Sequence, residues 1–172
     1  MNTEDKAENL FFEADELINE NKIVEAKELL IEILSEFPDY GYAHNHLGWI
    51  YQVKFSDYEK AEKHLKLAMK YAPNYNAGYV NFAYLLLDIN KYDEMIKFGE
   101  EALSHNFVDK STIYNKMAQA YEMKDDNFKA YDYYKLAVKH TLNNTTLEQI
   151  YSSINRIKDK MSFIQKLKLI VK

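Results

Sequence analysis

Apolar residues return every third or fourth position along most of this chain, the spacing of helices that bury one face. Leu10, Ala14, Leu17 and Ile18 form a first stripe, and Ile23, Ala26, Leu30, Ile33 and Leu34 a second. Between them Asn21-Lys22 reads as a tight turn. Pro38 closes the second helix, because a proline ring fixes φ and clashes with a helix running before it. The alternation continues with Leu47, Gly48 and Tyr51, then Tyr58, Ala61, Leu65 and Ala68. A third pair carries Tyr79, Phe82 and Ala83, then Tyr92, Met95 and Ala102; a fourth carries Tyr114, Met117, Ala118 and Tyr121, then Phe128, Ala130, Tyr134 and Ala137. After Leu142, the run Asn143-Asn144-Thr145-Thr146 starts another helix with Leu147, Ile150, Tyr151, Ile154 and Ile157 on one face. A second short terminal helix is expected over Met161, Phe163, Ile164, Leu167, Ile170 and Val171, with Leu169 on its polar side. The expected helix caps are Thr3, Asp39, Ser56 or Asp57, Asn74, Asn90 and the pair Asp125-Asp126.

The stripes repeat with a period of about 34 or 35 residues, the mark of a stack of small identical units. The small residue at Gly48 recurs as Ala14, Ala83 and Ala118. Ala61 corresponds to Ala26, Met95 and Ala130, and Ala68 to Ile33, Ala102 and Ala137. Two helices approach closely only where side chains are short, so these positions define the contact line of each pair. The closing Pro73 corresponds to Pro38, then to Phe107 and Leu142. The turn from Gln52 to Asp57 carries one extra residue, and so does the linker after Phe107.

This pattern resembles the tetratricopeptide repeat family over roughly Ala7 to Leu142. The resemblance implies an all-α, right-handed α-solenoid of about four repeats, residues 3–38, 39–73, 74–107 and 108–142, with a C-terminal capping unit over 143–172. It also implies that the first helix of each repeat lines a concave face that binds a protein partner. On those helices the expected lining is Glu8, Phe11, Phe12 and Asp15, then Tyr42, Asn45, His46 and Trp49, then Ala77, Asn81, Tyr84 and Asp88, then Thr112, Asn115, Lys116 and Gln119. The candidate peptide-binding residues are Asn45, His46, Trp49, Asn81, Tyr84, Asn115, Lys116 and Gln119. Amides donate to a backbone carbonyl and accept from a backbone N–H, which holds a main chain whatever its sequence, and aromatic rings add contact area. Some family members clamp a partner's C-terminal carboxylate. Here Asn81 matches that pattern and Lys116 stands where arginine is expected, while Asn45, Trp49 and Thr112 depart from it, so no clamp is expected.

Composition narrows the remaining readings. The chain has 172 residues, 47% hydrophobic, with four glycines and two prolines, too few for a turn-rich β fold and too apolar for wholesale disorder. Cysteine is absent, which removes disulfides, thiolate metal sites and thiol catalysis. No apolar run approaches the roughly 20 residues of a membrane span, and the acidic, polar start lacks a signal-peptide pattern; a cytoplasmic location is the expectation. Residues 1–40 hold twelve acids and three lysines, and residues 141–172 hold two acids and six bases. Head-to-tail attraction between copies is therefore an alternative function, and a secretion-chaperone-like role is another that no residue singles out. Arg156 is the only arginine, a bias that points more to an AT-rich genome than to a chemical demand.

No enzyme, cofactor or metal is expected. His44 and His46 point apart on a helix, His64, His105 and His140 stand alone in the sequence, and phosphate loops, His-Glu-x-x-His pairs and nucleophile elbows are lacking. Nucleic acid is disfavoured because the expected lining carries only Lys116 as a base.

Overall fold

A computed structural model describes residues 3–162 and 165–167, with side chains from Asp5 onward. It divides into two compact units, 1–85 and 86–172, whose boundary lies inside one helix. The first unit holds α1 (Thr3–Asn19), α2 (Ile23–Glu36), α3 (Gly41–Val53), α4 (Tyr58–Tyr71) and most of α5 (Asn76–Asp88). The second holds the end of α5, then α6 (Tyr92–Ala102), α7 (Lys110–Met123), α8 (Asn127–His140) and α9 (Asn144–Lys160). All regular structure among the described residues is helical. The cap expected at Thr3 and the apolar positions Phe163, Ile164, Leu169, Ile170 and Val171 lie outside what is described.

The small-residue marks sit where helices touch. Ala14, Ala26, Leu30, Ile33, Leu47 and Ile50 form the sealed core of the first unit; Ala118, Ala130, Tyr134, Ala137, Ile150 and Ile157 do the same in the second. A Cβ built on Gly48 would lie 2.6 Å from Leu65 Cγ, so glycine there sets the approach of α3 to α4. Met95 fills its alanine position fully buried; one turn on, a Cβ on Gly99 would strike the Met117 side chain at 2.5 Å, so glycine there sets the approach of α6 to α7.

The four hairpin turns share one device. Asn21, Ser56, Asn90 and Asp125 have φ of 60°, 53°, 58° and 58°, each two residues before the second helix of its pair. Left-handed backbone is tolerated best by glycine and then by short polar residues, which explains the side chains found. The following residue closes the turn onto the preceding helix, Lys22 N–H donating to Leu17 O at 2.8 Å, Lys91 to Leu86 O at 2.8 Å and Asp126 to Tyr121 O at 3.0 Å. In the second pair Asp57 reaches one residue further back, to Tyr51 O at 2.9 Å, so the extra residue is absorbed in the turn.

The caps differ in part from expectation. Asp57 and Asp126 cap α4 and α8 by accepting from the Lys60 and Lys129 backbone N–H groups. Ser56 and Asn90 are left-handed turn residues, and Lys91 occupies the cap position of α6 without a side-chain capping hydrogen bond. Asp39 lies one residue too early for α3, whose cap position is Tyr40, and Asn74 lies outside α5, which starts at Asn76. After the shortened α6, seven residues lead to α7, the last of them Asp109, which caps α7 through Ser111 and Thr112. Asn143 caps α9 by accepting from Thr146 N–H.

Candidate functional site

In the first unit the first-helix face is aromatic. Phe11 on α1 is the hub: its ring lies 4.6 Å edge-on from His46, 5.7 Å from Tyr40 and 6.0 Å from Tyr42. Tyr42 continues to Tyr75 at 4.7 Å. T-shaped contacts of this kind add to plain burial and fix ring positions. Phe12 and Tyr42 stay open, 56% and 42% exposed, and Tyr84 on α5 is 43% exposed. Ala7, Glu8, Phe11, Phe12, Phe37, Asp39, Tyr40 and Tyr42 enclose a cleft of about 580 Å³, a size used for ligand recognition. Burial, and then the nearby Glu8 charge, raise the Tyr40 hydroxyl above its ordinary pKa.

The amides expected to meet a partner are engaged with each other. Asn45 is buried, and its Oδ1 accepts from Asn81 Nδ2 at 3.0 Å, tying α3 to α5. His46 contacts Asp15 at 3.2 Å and the Tyr42 carbonyl at 3.2 Å. Trp49 packs on the core of its unit, with Lys54 Nζ 5.6 Å above its ring. In the second unit, Gln119 donates to Asn115 at 3.4 Å and accepts from Lys116 Nζ at 3.3 Å. Lys116 is buried, and desolvation lowers its ammonium pKa to about 8 against the opposing pull of Asp88. The structure thus groups Asn45, His46, Trp49, Asn81 and Tyr84 in one unit and Asn115, Lys116 and Gln119 in the other, with most of their polar atoms already satisfied.

Two polar clusters escaped the sequence reading. His64 is not alone: its Nδ1 lies 2.9 Å from His44 Nδ1, while His44 Nε2 lies 3.0 Å from the Pro38 carbonyl. The carbonyl requires His44 to donate from Nε2, so its Nδ1 accepts from His64, a neutral pair stacked against Tyr51 and Tyr71. Burial, the partner ring and Lys63 lower the His64 pKa to about 4, and burial lowers that of His44. The second cluster centres on Glu122 of α7, buried and held by Arg156 Nε and a terminal nitrogen at 2.8 Å each, Lys160 at 3.0 Å and the Tyr134 hydroxyl at 2.9 Å. Arg156 leads in holding the Glu122 carboxyl down to about 2. The chain's one arginine stands where bidentate geometry is used. Its rarity was the available signal.

Among the described residues no group of three or more His, Cys, Asp or Glu side chains is placed to hold a metal, and no helix is long and apolar enough to cross a membrane. No family model matches the chain, and no curated protein matches it by sequence. Its structure is similar to that of PilF from Pseudomonas aeruginosa, with a TM-score of 0.79 at 13% identity over 92% of this chain and 71% of that one. It is similar to a thermophilic TPR protein of Thermus thermophilus, TTC0263, with a TM-score of 0.68 at 18% identity over 86% and 80%. YrrB, described as a TPR protein with an unusual peptide-binding site, gives 0.64 at 12% identity over 84% and 75%. These structures share the tetratricopeptide-repeat fold, and this chain has it too.

Proposed function

We propose that this chain, a protein of the tetratricopeptide-repeat fold, is a non-enzymatic interaction module that holds an extended or helical segment of a protein partner against the first-helix face of its repeats. The observation that carries the reading is the aromatic cleft of the first unit, with Phe12 and Tyr42 open beside rings that are already fixed. Rigid, half-exposed aromatics give contact area at small entropic cost and dominate binding energy where they occur. The candidate amides then divide the work. Asn45 and Asn81 set α3 against α5, and Tyr84 extends the contact face. Asn115, Lys116 and Gln119 offer a second, polar contact on α7.

Head-to-tail self-association is less well supported, because two of the terminal bases it would use, Arg156 and Lys160, are engaged with Glu122 of their own unit.

The test is quantitative capture of partners from source-cell lysate with the intact chain, Phe12→Ala/Tyr42→Ala and Asn45→Ala/Asn81→Ala. The ring variant is expected to lose its partner with its helical circular dichroism unchanged. The amide variant, which removes both members of one hydrogen bond, is expected to keep most binding, since deleting both partners leaves no buried group unpaired. Equal capture by the ring variant and the intact chain would move the site off this face.

A further inference from the structure

The aromatic cleft lies in the most acidic part of the chain. Residues 1–40 carry twelve carboxylates and three lysines, and each lysine is directed elsewhere. Lys6 pairs with Glu36 at 2.6 Å, Lys22 with Glu20 at 2.6 Å, and Lys27 Nζ sits 4.9 Å over the Phe55 ring. On the cleft itself, Glu8 and Asp39 have no basic partner among the described residues, while Asp15 at its side meets the imidazole of His46. Unneutralised carboxylates over low-dielectric ring walls concentrate negative potential, and the faces of Phe12 and Tyr42 add the attraction of aromatic quadrupoles for a cation. An apolar anchor would gain from the rings alone and would leave the two carboxylates desolvated beside it without a counter-charge.

We infer that this cleft recognises a cationic side chain on the partner segment, arginine in preference to lysine, with the guanidinium against the rings of Phe12 and Tyr42 and its N–H groups toward Glu8 and Asp39. Arginine is favoured because its planar, weakly hydrated head stacks on a ring while its edge donates to carboxylates, which a compact ammonium does less well. The inference rests on the proposed interaction role and names the chemistry of the partner. It also assigns the acidity of residues 1–40 to partner selection and on-rate more than to folding.

The experiment is a nuclear magnetic resonance titration of the full chain with N-acetylarginine methylamide, with the citrulline and leucine analogues as neutral comparisons. Saturable shifts at Glu8, Phe12, Asp39 and Tyr42 are expected for the arginine probe. Binding of the citrulline analogue should be about five-fold weaker, the size of an exposed cation–π contribution. The arginine preference should disappear in Glu8→Gln/Asp39→Asn, whose exposed positions leave the fold unaffected, and should shrink at about 0.5 M salt, where the Debye length falls to a few ångströms. Leucine binding as well as arginine, or no saturable shift with any probe, overturns the inference. The interaction role stands or falls separately on whether Phe12→Ala/Tyr42→Ala loses its captured partner.

Discussion

Glu8 and Asp39 in the first unit and Glu122 in the second are carboxylates beside aromatic rings, put to opposite uses. Glu8 and Asp39 stand at the edge of an open cleft and meet no cation of their own chain among the described residues. Glu122 is buried and surrounded by Arg156, Lys160 and Tyr134. Between the two units the helical hairpin and its small-residue contact line stay the same. What changes is what meets the carboxylate: Arg156 and Lys160 of α9 reach Glu122 on α7, so polar groups there close the structure, whereas Glu8 and Asp39 keep their charge uncompensated among the described residues. The repeat fixes the scaffold, and the neighbouring side chains decide whether a carboxylate is neutralised within its own chain.

The largest test of that contrast is Glu122→Ala. It leaves a bidentate arginine, a lysine and a buried hydroxyl without their acceptor, and a loss of about 2–3 kcal/mol is expected, below the full cost of a fully buried pair because Arg156 can resolvate. Urea denaturation measures it, and hydrogen exchange should place the loosening in α9. Glu8→Ala is expected to change stability by less than about 0.5 kcal/mol, as exposed sites do. Similar losses for both would erase the distinction between the units.

Packing gives the next effect. Gly48→Ala presses Leu65 and should cost about 1–3 kcal/mol. Gly78, whose added Cβ would find nothing nearer than 3.5 Å, should accept alanine with a gain of about 0.5–1 kcal/mol from helix propensity. Paired thermal melts decide this.

Acid should separate the units. In the first, the folded His44 and His64 have lowered pKa values, so the unfolded chain binds more protons and stability falls as pH drops from about 6.5 toward 4. Discounted for the partial exposure of His64, the loss is about 1–2 kcal/mol, and His64→Gln should flatten it. In the second, Glu122 contributes stability that is complete above its ordinary value of 4.5 and is lost as pH falls toward about 2. Denaturation at successive pH values, read by exchange in each unit, should show α3 and α4 weakening before α9. A gain of similar size to that at Gly78 is expected at the turns: Lys22→Asp and Lys91→Asp should each add about 0.5–1 kcal/mol by supplying the missing cap.

Helices, turns and contact-line residues were legible because they are local, carried by apolar spacing and by small residues at a fixed period. The cap errors have two causes: Asn90 is a left-handed turn residue, a role that short polar residues share with capping, while Asp39 and Asn74 stand one position ahead of the cap positions of α3 and α5. Asn45 with Asn81, His44 with His64 and Glu122 with Arg156 join different helices, so their pairing emerges only from packing. The rings of α1 and α3 were read from the sequence as lining. Their fixed edge-on arrangement around Phe11, and the satisfied state of the amides beside them, come from the fold.

The decisive measurement is hydrogen–deuterium exchange on the intact chain with and without its captured partner. New protection is expected over residues 7–12 and 40–46, the cleft between α1 and α3, with α9 unchanged. Protection confined to α7 and α9, with the cleft exchanging as in the free chain, would overturn the assignment of recognition to the first unit.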